Sequence, residues 1–357
     1  MLTIGLDIGG ANTKLAATSS DSCSRLHLHE VLSRYFPFWL KHRRLSQFLE
    51  GLLEPFEKQA PTVAATLTAE LSDCFRTKKD GVLFVLSSLE KVAPSALILT
   101  SAAKLVPIKE ARNQPLMCAA ANWIAPPLVL SSAFPEFLFI DSGSTTTDII
   151  PVRDGTPLVA DPTDTGRLAH HELLYTGALR TNVATIVDHV EIRGTSISVA
   201  SENFATSADV NLVLGLISEN EYTVPSSDNG PSDLTGALVR LARVVCSDIE
   251  SMSRQDIVAM ARFIYDSQVE RISREISNCI SSHGLPGDVP CVVAGVGSRF
   301  LAREAAKRAG LRKIVTFDRL LRDYIQIDLG RRSEDALHHA PATALSILPQ
   351  LRPELCG

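Results

Sequence analysis

The sequence predicts an α/β protein of two duplicated halves with an active-site cleft between them, and three observations point there. The chain has 357 residues, more than one hydrophobic core usually serves, since single cores stop growing near roughly 250–300 residues. Strand-like and helix-like stretches alternate along it. A short pattern near the start, two apolar runs around an Asp-x-Gly turn, returns in the second half and aligns Asp7 with Asp141, Gly9 with Gly143, Gly10 with Ser144 and Thr13 with Thr147. A repeat at that spacing is too long for a solenoid and reads as a duplicated domain.

In chain order, residues 2–18 read as a hairpin around Gly9 and Gly10. Apolar spacing predicts helices over 45–58 and 79–89, buried strands over 61–68 and 96–100, and a small-residue helix over 115–125. Residues 137–153 open the second half as strand, turn, strand. A polar stretch over 218–232 reads as an exposed loop. Helices over 234–252 and 254–283 follow, the second capped by Ser251 or Ser253, then a strand over 289–294, a helix over 298–309 closed by Gly310, and a strand over 313–317. The expected domains are 1–135 and 136–357, the latter with a helical insertion around 165–285.

Composition narrows the function. Hydrophobic residues at 45% and charged ones at 21% suit a packed core rather than disorder. The balance of 35 basic against 40 acidic residues, net −5, argues against a general nucleic-acid binder. No basic stretch precedes the apolar run at 2–6, so no signal peptide is read and a cytoplasmic protein is expected. Seven scattered cysteines without a CxxC pair suggest reduced thiols, with neither a disulfide framework nor a zinc site. Residues 113–135 carry no charge and are long enough to span a bilayer, but Pro126 and Pro127 interrupt them and polar residues dot them, so no membrane span is expected.

The first turn places Asp7 at a strand end, then Gly9, Gly10, Asn12, Thr13 and Lys14. Glycines let backbone N–H groups approach an anion, and Mg²⁺ prefers carboxylate and water oxygens, so the turn fits phosphate chemistry as well as it fits a plain hairpin. The second copy tips the balance. Asp141, Ser142, Gly143, Ser144, Thr145, Thr146, Thr147 and Asp148 crowd hydroxyls between two carboxylates, more donors than a structural turn needs. Asp7, Asp141 and Asp148 are therefore the expected Mg²⁺ ligands, with Asp7 and Asp141 facing each other across the cleft. Gly295 and Gly297 follow a strand and open a helix, where an anion or nucleoside can bind; a dinucleotide site is disfavoured because Phe300 replaces the third glycine. Thr66, Thr68, Glu70 and Asp73, at the end of a buried strand, serve either as an acid/base group in the cleft or as helix caps. His170, His171, His338 and His339 are read as exposed or core histidines. Trp123, beside Asn122, either stacks on an aromatic substrate or packs in the core.

With these residues in hand, the chain resembles the hydantoinase A and oxoprolinase branch of the actin-like ATPase and sugar-kinase superfamily, whose domains are actin-like and ribonuclease H-like. More narrowly, DIGGANTK at Asp7, TAELSDCF at Thr68, AAANW at Ala119, DSGSTTTDIIP at Asp141, LLYTGALRT at Leu173, ATSADVNLVLG at Ala205, RLARVVCSD at Arg240 and AGVGSRFL at Ala294 look like the tetrahydromethanopterin-linked one-carbon pathway proteins. The resemblance implies a transferase of methanofuran biosynthesis that joins an aminomethyl-furanmethyl diphosphate to the phenol oxygen of γ-glutamyltyramine. Mg²⁺, Lys14 and the two turns would then neutralise the departing diphosphate, with ATP allowed but not required. By location alone, Asp73, Glu70 or Asp7 is the candidate base, and Arg180 and Tyr175 are candidates to hold the glutamyl carboxylates or the tyramine ring, against ordinary packing. The expected partners are the two small molecules, with no nucleic acid, no membrane, and a homodimer allowed. An ATP-dependent kinase or amidohydrolase and a nucleotide-gated regulator are the rival readings.

Overall fold

The computed structural model describes residues 1–356. The first sheet contains β1 (Leu2–Gly9), β2 (Asn12–Ser20), β3 (Leu26–Tyr35), β4 (Thr62–Thr68), β5 (Leu97–Leu99) and β6 (Leu105–Pro107), in the order β3-β2-β1-β4-β5-β6. The first three strands pair antiparallel, and β4 runs parallel to β1, as β5 does to β4. Every residue of β1 is buried, so it sits at the centre with both faces covered.

The remaining strands are β7 (Phe137–Ser142), β8 (Thr147–Arg153), β9 (Thr156–Pro157), β10 (Leu173–Leu174), β11 (His189–Ile192), β12 (Thr195–Ser198), β13 (Cys291–Ala294) and β14 (Ile314–Thr316). The second sheet has the order β10-β8-β7-β13-β14, with β9 added beside β8, while β11 and β12 form a separate hairpin. In each sheet the second strand of the opening hairpin is flanked by a following strand, β3 in the first and β10 with β9 in the second, and the first strand by later ones, β4-β5-β6 in the first and β13-β14 in the second. The duplication read from the Asp-x-Gly turns is therefore present in strand order, and the fold is of the expected α/β class.

Two compact units divide the chain. One holds residues 1–139, 150–170 and the chain from Val315 on; the other holds 140–149 and 171–314. The units thus differ from a single cut after residue 135, because 150–170 and the C-terminal segment pack with the first. No helix among the described residues is long and apolar enough to cross a membrane.

Several elements differ from expectation. Residues 115–125 are two short 3₁₀ turns rather than one helix, and the α-helix begins only at Ala125 and ends at Leu130. Positive φ at Ala120 breaks the run. The helix expected over 234–252 stops at Arg243, and Cys246 in left-handed conformation marks its exit. The stretch 218–232 is not wholly exposed, since Tyr222 and Val224 join a hydrophobic cluster. The helix Arg254–Ser282 is capped by Ser253, whose side chain accepts the Asp256 N–H.

Candidate active site

In the first unit, the strand register sets Asp7 opposite Lys14 on β2 and Thr66 on β4. The Asp7 carboxylate is 3% exposed, and both its oxygens are held: Lys14 Nζ donates to Oδ2 at 2.8 Å and Thr68 Oγ1 donates to Oδ1 at 3.1 Å. Gly9 is required by close approach, because a methyl there would lie 2.6 Å from the Asn12 carbonyl oxygen and 3.3 Å from Thr68 Oγ1. Asn12 is half-buried at the turn. Thr13 is buried and alternates with Lys14, so its side chain lies on the opposite face of the sheet and is not beside Asp7. Gly10 and Ala11 offer their carbonyls to the Phe38 and Phe36 N–H groups, both at 2.9 Å, which ties the hairpin tip to the next segment.

Past the end of β4, Glu70 turns inward at 2% exposure while Asp73 stands exposed, so the two do not form an acidic pair. Glu70 Oε2 is buried with no hydrogen-bond partner. Burial pushes its carboxyl up to about 7, helped by the negative charges of Asp164 and Asp7 and opposed by Lys78. The helix Lys78–Glu90, capped by Thr77, starts against this residue: a methyl on Gly81 would collide with the Glu70 backbone. Lys78 Nζ donates to Asp164 Oδ2 at 2.8 Å. The sequence offers Lys78 only as a cation beside Glu70 and Asp73, and its partner Asp164 lies 86 positions away. Trp123 is 2% exposed, with the Arg167 guanidinium 4.7 Å from its ring centroid, so its face is already covered by a cation. Asn122 beside it is half-buried.

The second unit builds its turn differently. Gly143 N–H donates to the Thr146 carbonyl at 2.9 Å, and the N–H groups of Ala178, Leu179 and Arg180 donate to the carbonyls of Gly143, Ser144 and Ser144 at 2.9, 3.0 and 3.0 Å. The segment around Gly177 lies so close that a methyl there would be 2.7 Å from the Gly143 oxygen. That segment is held in turn by buried amides: Gln268 Nε2 donates to Thr176 Oγ1 and the Gly177 carbonyl, each at 2.9 Å, and Asn211 Nδ2 to the Ala178 carbonyl at 2.7 Å. Gly295, at φ +87°, and Gly297 pack on the same turn; methyls there would collide with Asp141 Oδ1 and approach Ser142 Oγ at 2.6 Å, respectively. These two glycines are therefore accounted for by backbone contact. Asp141, Ser142 and Asp148 are buried, Ser144 to Thr146 are half-buried, and Tyr175 is 61% exposed.

Each turn offers a buried aspartate, Asp7 beside the Lys14 ammonium and the Thr68 hydroxyl and Asp141 beside the hydroxyl-bearing residues 142–147, and carboxylate and hydroxyl oxygens are hard donors of the kind Mg²⁺ takes. Among the described residues no three His, Cys, Asp or Glu side chains converge as a ligand group.

The sequence profile of the hydantoinase/oxoprolinase family matches residues 61–319. The chain belongs to the hydantoinase/oxoprolinase family. Within reach of it stands the (4-{4-[2-(gamma-L-glutamylamino)ethyl]phenoxymethyl}furan-2-yl)methanamine synthase of Methanocaldococcus jannaschii, 33% identical over 303 residues, 84% of this chain and 88% of that one. A synthase of the same name from Methanococcus vannielii is 34% identical over 164 residues, 46% of this chain and 72% of that one. Both relatives are synthases, and this family member is an enzyme of the group-transferring kind. Among solved structures, it is similar to the ethanolamine utilization protein EutJ from Carboxydothermus hydrogenoformans (13% identity, TM-score 0.43, 92% and 89% of the two chains covered). It is also similar to the activator of 2-hydroxyisocaproyl-CoA dehydratase from Clostridium difficile (12%, 0.41, 99% and 97%).

Proposed function

We propose that the chain is an aryl-ether synthase of methanofuran biosynthesis. It condenses (5-(aminomethyl)furan-3-yl)methyl diphosphate with γ-glutamyltyramine and releases pyrophosphate with the help of Mg²⁺. Similarity to the Methanocaldococcus jannaschii synthase over 88% of that chain supports the reaction. The observation that carries the mechanism is Glu70, a buried carboxyl poised at about 7 in the same unit as the Asp7–Lys14 turn. A general base works best when its pKa lies near the working pH.

The bond between the furanmethyl carbon and the diphosphate oxygen breaks, its electron pair leaving on pyrophosphate, while the furan ring delocalises the positive charge on the methylene. A phenol oxygen lone pair closes the new C–O bond, and Glu70 takes the phenol proton. Lys14 and the hydroxyls of Ser144, Thr145 and Thr146 stabilise the negative charge that grows on the departing group. Asp7 in one unit and Asp141 in the other are the carboxylates that would hold Mg²⁺, which would supply charge neutralisation on the diphosphate. Arg180 and Tyr175 are assigned to the glutamyl and tyramine parts, Arg180 because a guanidinium matches a carboxylate in two hydrogen bonds.

Purified protein incubated with Mg²⁺ and both substrates, without ATP, is expected to yield ether and pyrophosphate in equal amounts, read by chromatography and mass spectrometry. Product that appears only with ATP hydrolysis would reject direct displacement, and ADP formation with a modified single substrate would favour a kinase or amidohydrolase.

A further inference from the structure

The helix Ala340–Leu351 lies along the face of the first sheet that carries Asp7 and Lys14. Ser346 Oγ hydrogen-bonds to Thr18 Oγ1 at 2.7 Å, Gln350 Nε2 donates to Thr3 Oγ1 at 3.0 Å, and a methyl on Gly5 would collide with the backbone at Ala342 and Ser346. Thr3, Gly5 and Asp7 alternate along β1, as Lys14 and Thr18 do along β2, so all five share one face. On the helix, positions 342, 346 and 350 define the stripe against that face, and 343 and 339 fall on the same stripe. Gln350 meets Thr3 at the start of β1, and Ala342 meets Gly5. Continued to its first residues, the helix therefore aims its N-terminal end at the Asp7–Lys14 pair.

The electrostatics agree with this placement. His339, at the N-cap, is enclosed on most sides yet keeps part of its surface open. Burial, with the nearby Lys14 ammonium second, pushes its imidazole down to about 3, so it is neutral at physiological pH. Two hydroxyls at this end of the sheet and helix are buried without a partner: Thr66 Oγ1, on the residue opposite Asp7, and Thr343 Oγ1, one turn into the helix. Both residues are wholly buried. Orphaned donors in a buried place cost stability unless something accepts from them. The start of a 12-residue helix adds unpaired N–H groups and partial positive charge.

We infer that this corner, where the helix start meets β1 and β4, is one end of the diphosphate subsite, where the His339 N–H, the Thr66 and Thr343 hydroxyls and the helix N-terminus grip the departing pyrophosphate beside Lys14. The inference rests on the proposed reaction and names residues for its leaving group. His339 donates a hydrogen bond and keeps its proton: the electron pair of the broken C–O bond stays on pyrophosphate and the phenol proton stays on Glu70. A neutral donor suits this position, because a second cation beside Lys14 would be repelled in the resting enzyme.

Isothermal titration of the full chain with inorganic pyrophosphate in Mg²⁺ buffer tests it, beside steady-state ether formation. His339→Leu is expected to weaken pyrophosphate binding at least tenfold and to raise KM for the furanmethyl diphosphate, while KM for γ-glutamyltyramine stays within twofold. His339→Gln, which retains a neutral N–H, recovers most of the loss. Thr343→Val, nearly isosteric, weakens pyrophosphate severalfold and serves should His339→Leu fail to fold. Wild-type pyrophosphate affinity in folded His339→Leu and Thr343→Val, in an enzyme that makes the ether, overturns the inference alone. A wild-type protein that neither binds pyrophosphate nor makes the ether overturns the proposed reaction with it.

Discussion

The two aspartate turns are built from the same sequence pattern and held by opposite means. At the first, a side-chain ion pair does the work: Asp7 is fixed by the Lys14 ammonium and the Thr68 hydroxyl. At the second, backbone carbonyls of Gly143 and Ser144 are read by three successive N–H groups, and three glycines, Gly177, Gly295 and Gly297, let other segments lie against the turn. Duplication preserved the strand order and the carboxylate but not the support. The first turn adds a charge pair to the close approach at Gly9, while the second rests on backbone contacts and three such approaches, and that contrast can be broken experimentally.

The largest effect is expected beside the first turn. Glu70→Gln should lower kcat by about 10²–10⁴-fold, the usual contribution of a general base, and abolish the rise of kcat/KM with pH through about 7. Its effect on stability has the opposite sign. The folded carboxyl titrates near 7 against an ordinary 4.5, so its favourable contribution is complete below 4.5 and is lost as pH rises through 7. Denaturant midpoints at pH 8 should therefore be higher for Glu70→Gln than for wild type; a lower midpoint would remove burial as the cause.

Next comes the second turn. Asp141→Asn, which removes charge without volume, should slow turnover by roughly 10²-fold or more, the scale of losing one transition-state electrostatic contact, and leave the thermal midpoint nearly unchanged. A near-normal rate with intact Mg²⁺ dependence would break the equivalence of the two aspartates. Gly295→Ala should do the reverse. It places a side chain at φ +87° against Asp141 and should destabilise by more than about 1 kcal/mol, measured by urea unfolding. A wild-type midpoint would show that the turn yields to added volume.

The smallest effect lies in acid. Unfolded His339 titrates near 6.5 and folded His339 near 3, so between those values the unfolded chain binds more protons and stability falls as pH drops. His339→Gln should flatten the decline in denaturant midpoint between pH 7 and 5; an unchanged slope would place the acid sensitivity elsewhere.

What could be read from sequence was local. Both hairpins announce themselves through period-two apolar runs and small turn residues, and the helix Arg254–Ser282 through its cap and periodicity. β3 (Leu26–Tyr35) escaped because His27, His29, Glu30 and Arg34 dilute its pattern; it forms by pairing with β2. Glu70 and Asp73 are chemically alike in sequence and part only when Glu70 is covered by a helix start that needs Gly81. The Thr176–Arg180 support depends on Asn211 and Gln268, whose partners lie 33 and more than 90 positions away. Arg167 over Trp123 is likewise a tertiary fact.

The contact between Thr18 and Ser346 spans 328 positions. During synthesis the hairpin of β1 and β2 leaves the ribosome long before the helix Ala340–Leu351, so its face bearing Gly5 and Thr18 stays uncovered until the helix that shields it has been translated. Such distant pairing slows folding and leaves apolar surface waiting. The nascent chain is therefore expected to bind holding chaperones over β1 and β2 and to release them only when the helix Ala340–Leu351 docks.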